Sequence, residues 1–269
     1  MIDTSVTELL VAVDGTPRSV EAAHIAAAYA ERLAVPVSLV RGCRPYVSYG
    51  DARDWAEHLA SELEPTVKRV EVLLTTDIAG DVLAAAKEIP GSTLCLSSHG
   101  RTEVGVTILG SISRAIVDRS PAPVLLIGPH AMAPTGFSAV LVGIDGSPLS
   151  RRALVAAGHW ADQLGAVPWL ALVDPPGTAP MTGDLVESAD LQRAAAQLET
   201  FGLEPQWDVL HDDHPARALA TWGASHGAAL YVVGAHSRTG VHELVVGSVA
   251  NQLVHHADRA VLVAGPACR

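Results

Sequence analysis

Two stretches of the chain bring histidine, glycine and serine together at one spacing. His99-Gly100-Arg101-Thr102 is followed by Gly110-Ser111, and His236-Ser237-Arg238-Thr239 is followed by Gly247-Ser248 after the same gap. A Gly-Ser pair where a helix begins offers free backbone N–H groups, the helix dipole and a hydroxyl donor, which together hold a phosphate. Glycines in such a loop let the backbone take left-handed angles and approach a ligand closely. The plainer reading is a turn and a helix cap, and duplication preserves structure as well as function. Asp14 and Asp145 each stand before a glycine at the end of an apolar run. A carboxylate there either faces a ligand or closes a turn. His99 and His236 either orient phosphates or bond within their own loops. Arg101 and Arg238 either approach phosphate or lie in solvent.

These residues recur because the chain repeats itself. Leu10-Val11-Ala12-Val13-Asp14-Gly15 returns as Leu141-Val142-Gly143-Ile144-Asp145-Gly146, and Val124-Leu125 with Gly128-Pro129 returns as Val261-Leu262 with Gly265-Pro266. Blocks repeated in the same order mark a duplicated domain. The expected division is residues 1–130, a linker at 131–137 in a proline- and glycine-containing stretch, and a second domain at 138–269. Apolar runs in the first copy fall at Glu8–Val13, Val35–Val40, Val67–Leu74, Thr93–Ser97 and Val124–Ile127. The second copy has Ala139–Ile144, Val167–Val173, Glu204–Leu210, Ala229–Gly234 and Arg259–Ala264. Helical patterns separate them, the first opening at Thr16-Pro17 and later ones at Asp51–Glu64, Ala79–Glu88 and Ser111–Arg119. The fold expected is α/β: two tandem doubly wound domains, each a five-stranded parallel sheet of order 3-2-1-4-5 with helices on both faces. Ligands of such sheets sit beyond the carboxyl ends of strands, where the order reverses. That places Asp14 with Ser97–Ser111, and Asp145 with Gly234–Ser248, at the positions to examine first. The last strand of each copy is an apolar edge, and bare edges of this kind invite pairing.

Composition narrows the function. Of 269 residues, 49% are hydrophobic and 17% charged, which excludes a disordered chain. Acidic residues number 29 against 18 basic ones, a formal charge of −11. General affinity for nucleic acid or anionic membrane is not expected from that balance. A small phosphorylated ligand remains compatible with it, since local backbone dipoles do the attracting. The lysines are Lys68 and Lys87 alone, which leaves little for reactive-lysine chemistry. Cys43, Cys95 and Cys268 form no CxxC pair and fit a reducing compartment. The first residues carry no basic, apolar leader, so a cytoplasmic protein is expected. The chain lacks GxxxxGK[ST] and a GxGxxG after its first strand, which argues against a P-loop NTPase and a dinucleotide enzyme. The acidic pair and lysine of a response-regulator receiver are also missing. His255-His256 has no carboxylate or cysteine at ligand spacing, and no metal site is expected.

On these residues the chain resembles a tandem universal stress protein, over essentially its whole length. The family's nucleotide motif is a glycine, two residues, a glycine, nine residues, then glycine with Ser or Thr. It maps to Ser97, Gly100, Gly110 and Ser111, and again to Gly234, Ser237, Gly247 and Ser248. Ser97 and Ser237 each replace one motif glycine. The resemblance implies that Asp14 and Asp145 contact a nucleoside, and that residues near Val40 and Leu172 lie beside adenine. His99 and His236 complete the candidate set. It implies ATP as ligand, with or without Mg, and a regulatory stress-response role with little or no turnover rather than an enzyme. It also implies an internal pseudo-dimer of the two copies and a homodimer of chains. A second branch of the family binds no nucleotide, so a degenerate interaction module stays open. A slow ATP hydrolase, with Asp14 or Asp145 holding a metal ion, is the third reading.

Overall fold

The structure is a computed structural model that describes residues 5–98, 109–174, 183–235 and 246–268, with 183–188 as backbone only. The first half runs β1 (Glu8–Val13), α1 (Pro17–Leu33), β2 (Val37–Cys43), α2 (Tyr49–Glu62), β3 (Val67–Leu74), α3 (Ile78–Lys87), β4 (Ser92–Ser97), α4 (Ser111–Arg119) and β5 (Val124–Ile127). The second runs β6 (Ala139–Gly143), α5 (Pro148–Leu164), β7 (Val167–Asp174), α6 (Gly183–Glu199), β8 (Gln206–His211), α7 (Pro215–Ser225), β9 (Ala228–Gly234), α8 (Ser248–His256) and β10 (Val261–Ala264).

The strands form one ten-stranded sheet in the order β3-β2-β1-β4-β5-β10-β9-β6-β7-β8. Each half therefore has the order 3-2-1-4-5 and parallel pairing throughout. The two halves meet antiparallel, with Val261 opposite Leu126, Leu262 opposite Leu125 and Val263 opposite Val124. Alternate residues of β1 serve two cores, as strand pleating requires. Leu9, Val11 and Val13 face α1, α2, α5 and α6, while Leu10 faces α3, α4, α7 and α8. Both cores run across the junction.

Local chemistry sets the helix ends. Thr16 and Ser147 cap α1 and α5 by accepting the N–H groups of Ser19 and Ser150, and a proline follows each cap. Ala34 and Gly165 end these helices in the left-handed conformation. The expected second strand, Val35–Val40, is displaced: Pro36 follows the Ala34 cap, and β2 starts at Val37. It continues through Arg41, Gly42 and Cys43, where pairing with β3 extends to Leu74. The second helix likewise starts earlier than Asp51, because Ser48 caps it by accepting from Asp51 N–H.

Several bonds cross between halves away from the sheet. Gln163 of α5 accepts the Val6 N–H at 2.7 Å and donates to the Val6 carbonyl at 3.0 Å. Tyr29 of α1 donates to the Ala229 carbonyl and packs edge-on against Trp160. Met132 N–H donates to Asp258 O at 2.9 Å.

Two glycines make the junction possible. A Cβ at Gly128 would collide with the Val254 carbonyl of α8, and one at Gly265 with the Val117 carbonyl of α4. Both obstacles are backbone, which cannot swing aside. Gly128→Ala is therefore expected to lower stability by about 1–3 kcal/mol, read as a fall in urea midpoint. An unchanged midpoint would show that the junction is loosely packed.

Candidate functional site

A cleft of about 330 Å³ opens at the carboxyl ends of β1 and β4, where the strand order of the first half reverses. That volume lies at the lower end of the range for small-molecule sites. Ala12, Ile78 and Val82 give it an apolar wall, while Asp14, Ser97 and Ser111 give it polar groups. Arg44, Tyr46 and Ile112 stand at its rim, and Tyr46 is 83% exposed.

The start of α4 closes one side. Gly110 is its N-cap, and no side chain caps the helix. The first N–H of the helical ladder is that of Arg114, which donates to Gly110 O at 2.9 Å. The N–H groups of Ser111, Ile112 and Ser113 thus lie outside the ladder, at the positive end of the helix dipole. Ser113 Oγ donates to Ser97 O at 3.0 Å and ties α4 to β4. Across the cleft, Asp77 caps α3 by accepting Gly80 N–H at 3.0 Å. That bond, with the nearby Arg119 guanidinium of α4, holds the Asp77 carboxyl below the usual carboxylate range. The two helices flanking the cleft are thereby linked.

The sequence-predicted residues divide. Asp14, Ser97, Gly110 and Ser111 line the cleft together. Asp14 also performs the turn role: its Oδ1 accepts the Thr16 N–H at 3.0 Å and the Thr16 hydroxyl at 2.7 Å. Asp145 accepts the Ser147 N–H at 2.9 Å in the same way. Left-handed angles are absent from Gly110, Gly234 and Gly247; they belong instead to Gly15 and Gly146, at φ +88 and +72, in the Asp-Gly turns. At Gly234 a side chain would press at 3.0 Å on the backbone of Leu149 and Ser150. Gly247 caps α8 as Gly110 caps α4, again with no side-chain cap, ahead of Ser248. His99, Gly100, Arg101, His236, Ser237 and Arg238 lie outside the described residues.

Val40 and Leu172 need correction. Val40 is fully buried on the α3–α4 side and does not line the cleft; Gly42, two residues on, does. Leu172 packs into the opposite core. The register pairs Gly143 with Ala171 as it pairs Ala12 with Val40, so Ala171 is the equivalent position. A slip of one residue along a strand exchanges the faces of the sheet.

The same alignment exposes a difference between the halves. Val173 stands where Gly42 stands, and Leu219 where Val82 does, each five residues after its helix cap. Leu219 Cδ1 comes within 3.2 Å of the point where Gly143 would carry a Cβ, so it lies over β6. Among the described residues, the second half therefore carries bulkier side chains than the first at these two positions.

Arg41 was not foreseen. It is 9% exposed, donates from Nη1 to Ala52 O at 3.0 Å, and stacks 4.4 Å above the Trp55 ring centre. Its Nη2 lies beneath Gly15, at 2.9 Å from where a Cβ would be. A lone cation inside the apolar run of β2 was the available signal. Its counterpart is Leu172, and the matching space between α5 and α6 is a cavity of about 140 Å³. Cys95 is buried, and desolvation pushes its thiol far up, which leaves it unreactive. No group of three potential metal ligands gathers among the described residues.

A family model described as the universal stress protein family matches residues 6–128 and again 136–265. The chain belongs to the universal stress protein family. Universal stress protein Rv2005c of Mycobacterium tuberculosis is 36% identical over 181 residues, covering 63% of this chain and 60% of that protein. The chain thus aligns with about three fifths of the length of such a relative. Universal stress protein Rv2623 of the same organism is 26% identical, with 95% of each chain covered. A crystal structure of a universal stress protein from Archaeoglobus fulgidus shares the fold at TM-score 0.72 and 18% identity, over 96% of this chain and 98% of that one. No described helix is long and apolar enough to cross a membrane.

The bonds to Thr16 assign Asp14 a structural share whatever this universal stress protein binds. Asp14→Ala is expected to cost about 1 kcal/mol in the absence of ligand, measured by denaturant unfolding. An unchanged unfolding curve would make the carboxylate purely functional.

Proposed function

We propose that the cleft of the first half binds an adenine nucleotide, ATP by resemblance, and that occupancy rather than turnover is the signal in a cytoplasmic stress response. The observation that carries this is the start of α4: an uncapped helix terminus at a cleft with an apolar wall, at the point where the strand order reverses. The exposed N–H groups suit phosphate, the apolar wall suits a base, and the Asp14 carboxylate suits ribose hydroxyls. A chain of net charge −11 still captures such an anion, because the dipole acts at short range. Among the described residues Asp14 is the carboxylate lining the cleft, and one carboxylate does not cage a cation. Any Mg would ride chiefly on the phosphates, and no hydrolytic step follows from these residues. The candidate residues of the second half, Asp145, Gly234, Gly247 and Ser248, keep the helix start. Val173 and Leu219 favour reading that half as the degenerate interaction module of the alternative. The division into units at 1–130 and 138–269 belongs to the same proposal, as does a homodimer, checked by sedimentation.

Calorimetric titration with ATP tests the assignment. Gly42→Val imports the second half's residue, and its Cβ would stand 2.5 Å from Ile78 Cγ2. Binding is expected to weaken at least about tenfold, which corresponds to about 1.4 kcal/mol, while Val173→Gly leaves it unchanged. Full affinity in Gly42→Val would remove the nucleotide from this cleft. A wild-type protein that neither binds ATP nor releases nucleotide on denaturation would leave the interaction-module reading.

A further inference from the structure

The residue just ahead of the α4 cap is bonded to the other half of the chain. The backbone N–H of Leu109, the residue before the Gly110 cap, donates to Asn251 Oδ1 at 3.0 Å. Asn251 belongs to α8. Leu109 is 5% exposed, so loss of this acceptor strips a buried donor of that partner. The reach follows from the junction: Val254, three residues further along α8, presents its carbonyl to Gly128, so this stretch of α8 lies against the first half. Within the first half, Gly110 N–H donates to Ser98 O at 2.9 Å. Two consecutive amides are thus fixed, one by β4's own end and one by the second half.

The arrangement is not reciprocal. Arg114 stands four residues after Gly110, as Asn251 stands four after Gly247, and Val246 stands where Leu109 does. An amide oxygen accepts an N–H, whereas a guanidinium has donors only. Arg114 cannot return to Val246 the bond that Asn251 gives to Leu109. Dependence through this contact runs from the second half to the first.

We propose that Asn251 is a positioning residue for the nucleotide cleft of the first half, so that α8 sets the affinity of a site it does not line. This rests on the nucleotide reading above. The first-turn N–H groups of α4 capture a phosphate only if they converge on it, and a site held a fraction of an ångström too loosely loses that convergence. Asn251 supplies the support from outside the half.

Amide hydrogen exchange and ATP titration on the full chain test this separately. In the wild type the Leu109 amide is expected to be protected, and an unprotected amide overturns the proposal. Asn251→Ala, a change that favours the helix, is expected to speed Leu109 exchange at least about tenfold and weaken ATP binding by a similar factor. Asn251→Asp keeps an acceptor oxygen and restores both. Wild-type exchange at Leu109 in Asn251→Ala, or faster exchange with unchanged ATP affinity, overturns the proposal, as does an Asn251→Asp variant that behaves like alanine. If the wild type binds no ATP, the nucleotide reading fails and the affinity claim with it, while Leu109 exchange still decides whether Asn251 holds the Leu109 amide.

Discussion

The antiparallel pairing of β5 with β10 is the contact on which the molecule depends. Each strand is four residues long and wholly buried. Alone, each half would present a row of unpaired backbone groups on an apolar edge. Joined, they convert two small sheets into one and let both helical layers pack without a break. The clearances at Gly128 and Gly265 are the local requirement. They bring the chain after each closing strand against the backbone of a helix from the opposite half, so the junction includes the helices that begin at the Gly-Ser loops.

That geometry gives one architecture two equivalent positions with different side chains at each. The order 3-2-1-4-5 creates a crevice beside the first strand of each half regardless of side chains. What occupies the crevice is decided by the residues at the strand ends and on the helix above. Glycine at position 42 and valine at 82 line the cleft of the first half; valine at 173 and leucine at 219 are the bulkier residues at the equivalent positions of the second. On the other face the contrast is inverted, with Arg41 and Trp55 filling the first half where the second keeps a hollow.

Much of this was legible in the sequence. The repeat and the parallel order follow from apolar runs, caps and duplication, all of which are local or periodic, while the pairing of the closing strands with each other came from the family resemblance. The cluster of Asp14, Ser97, Gly110 and Ser111 followed from the rule that ligands sit where strand order reverses. Leu172 lies on the opposite face from its neighbour Ala171 because a strand has a period of two, so a shift of one residue changes the face. Left-handed angles occur at Gly15 and Gly146, while Gly128 and Gly265 serve clearance, and sequence does not separate a glycine needed for angle from one needed for clearance. Arg41 and Asn251 act through contacts with α2 and with the Leu109 amide, and no pattern along the chain announces such partners.

The unequal pair Asn251 and Arg114 bears on why the two copies share one polypeptide. A symmetric dimer of single domains places the same side chain at both equivalent positions, so every change is made twice. Covalent duplication lifts that constraint. An acceptor can face one loop and a cation the other, and a buried arginine can be kept in one copy while its equivalent becomes leucine. The fused chain has room for a division of labour that its symmetric counterpart is forbidden by geometry to adopt.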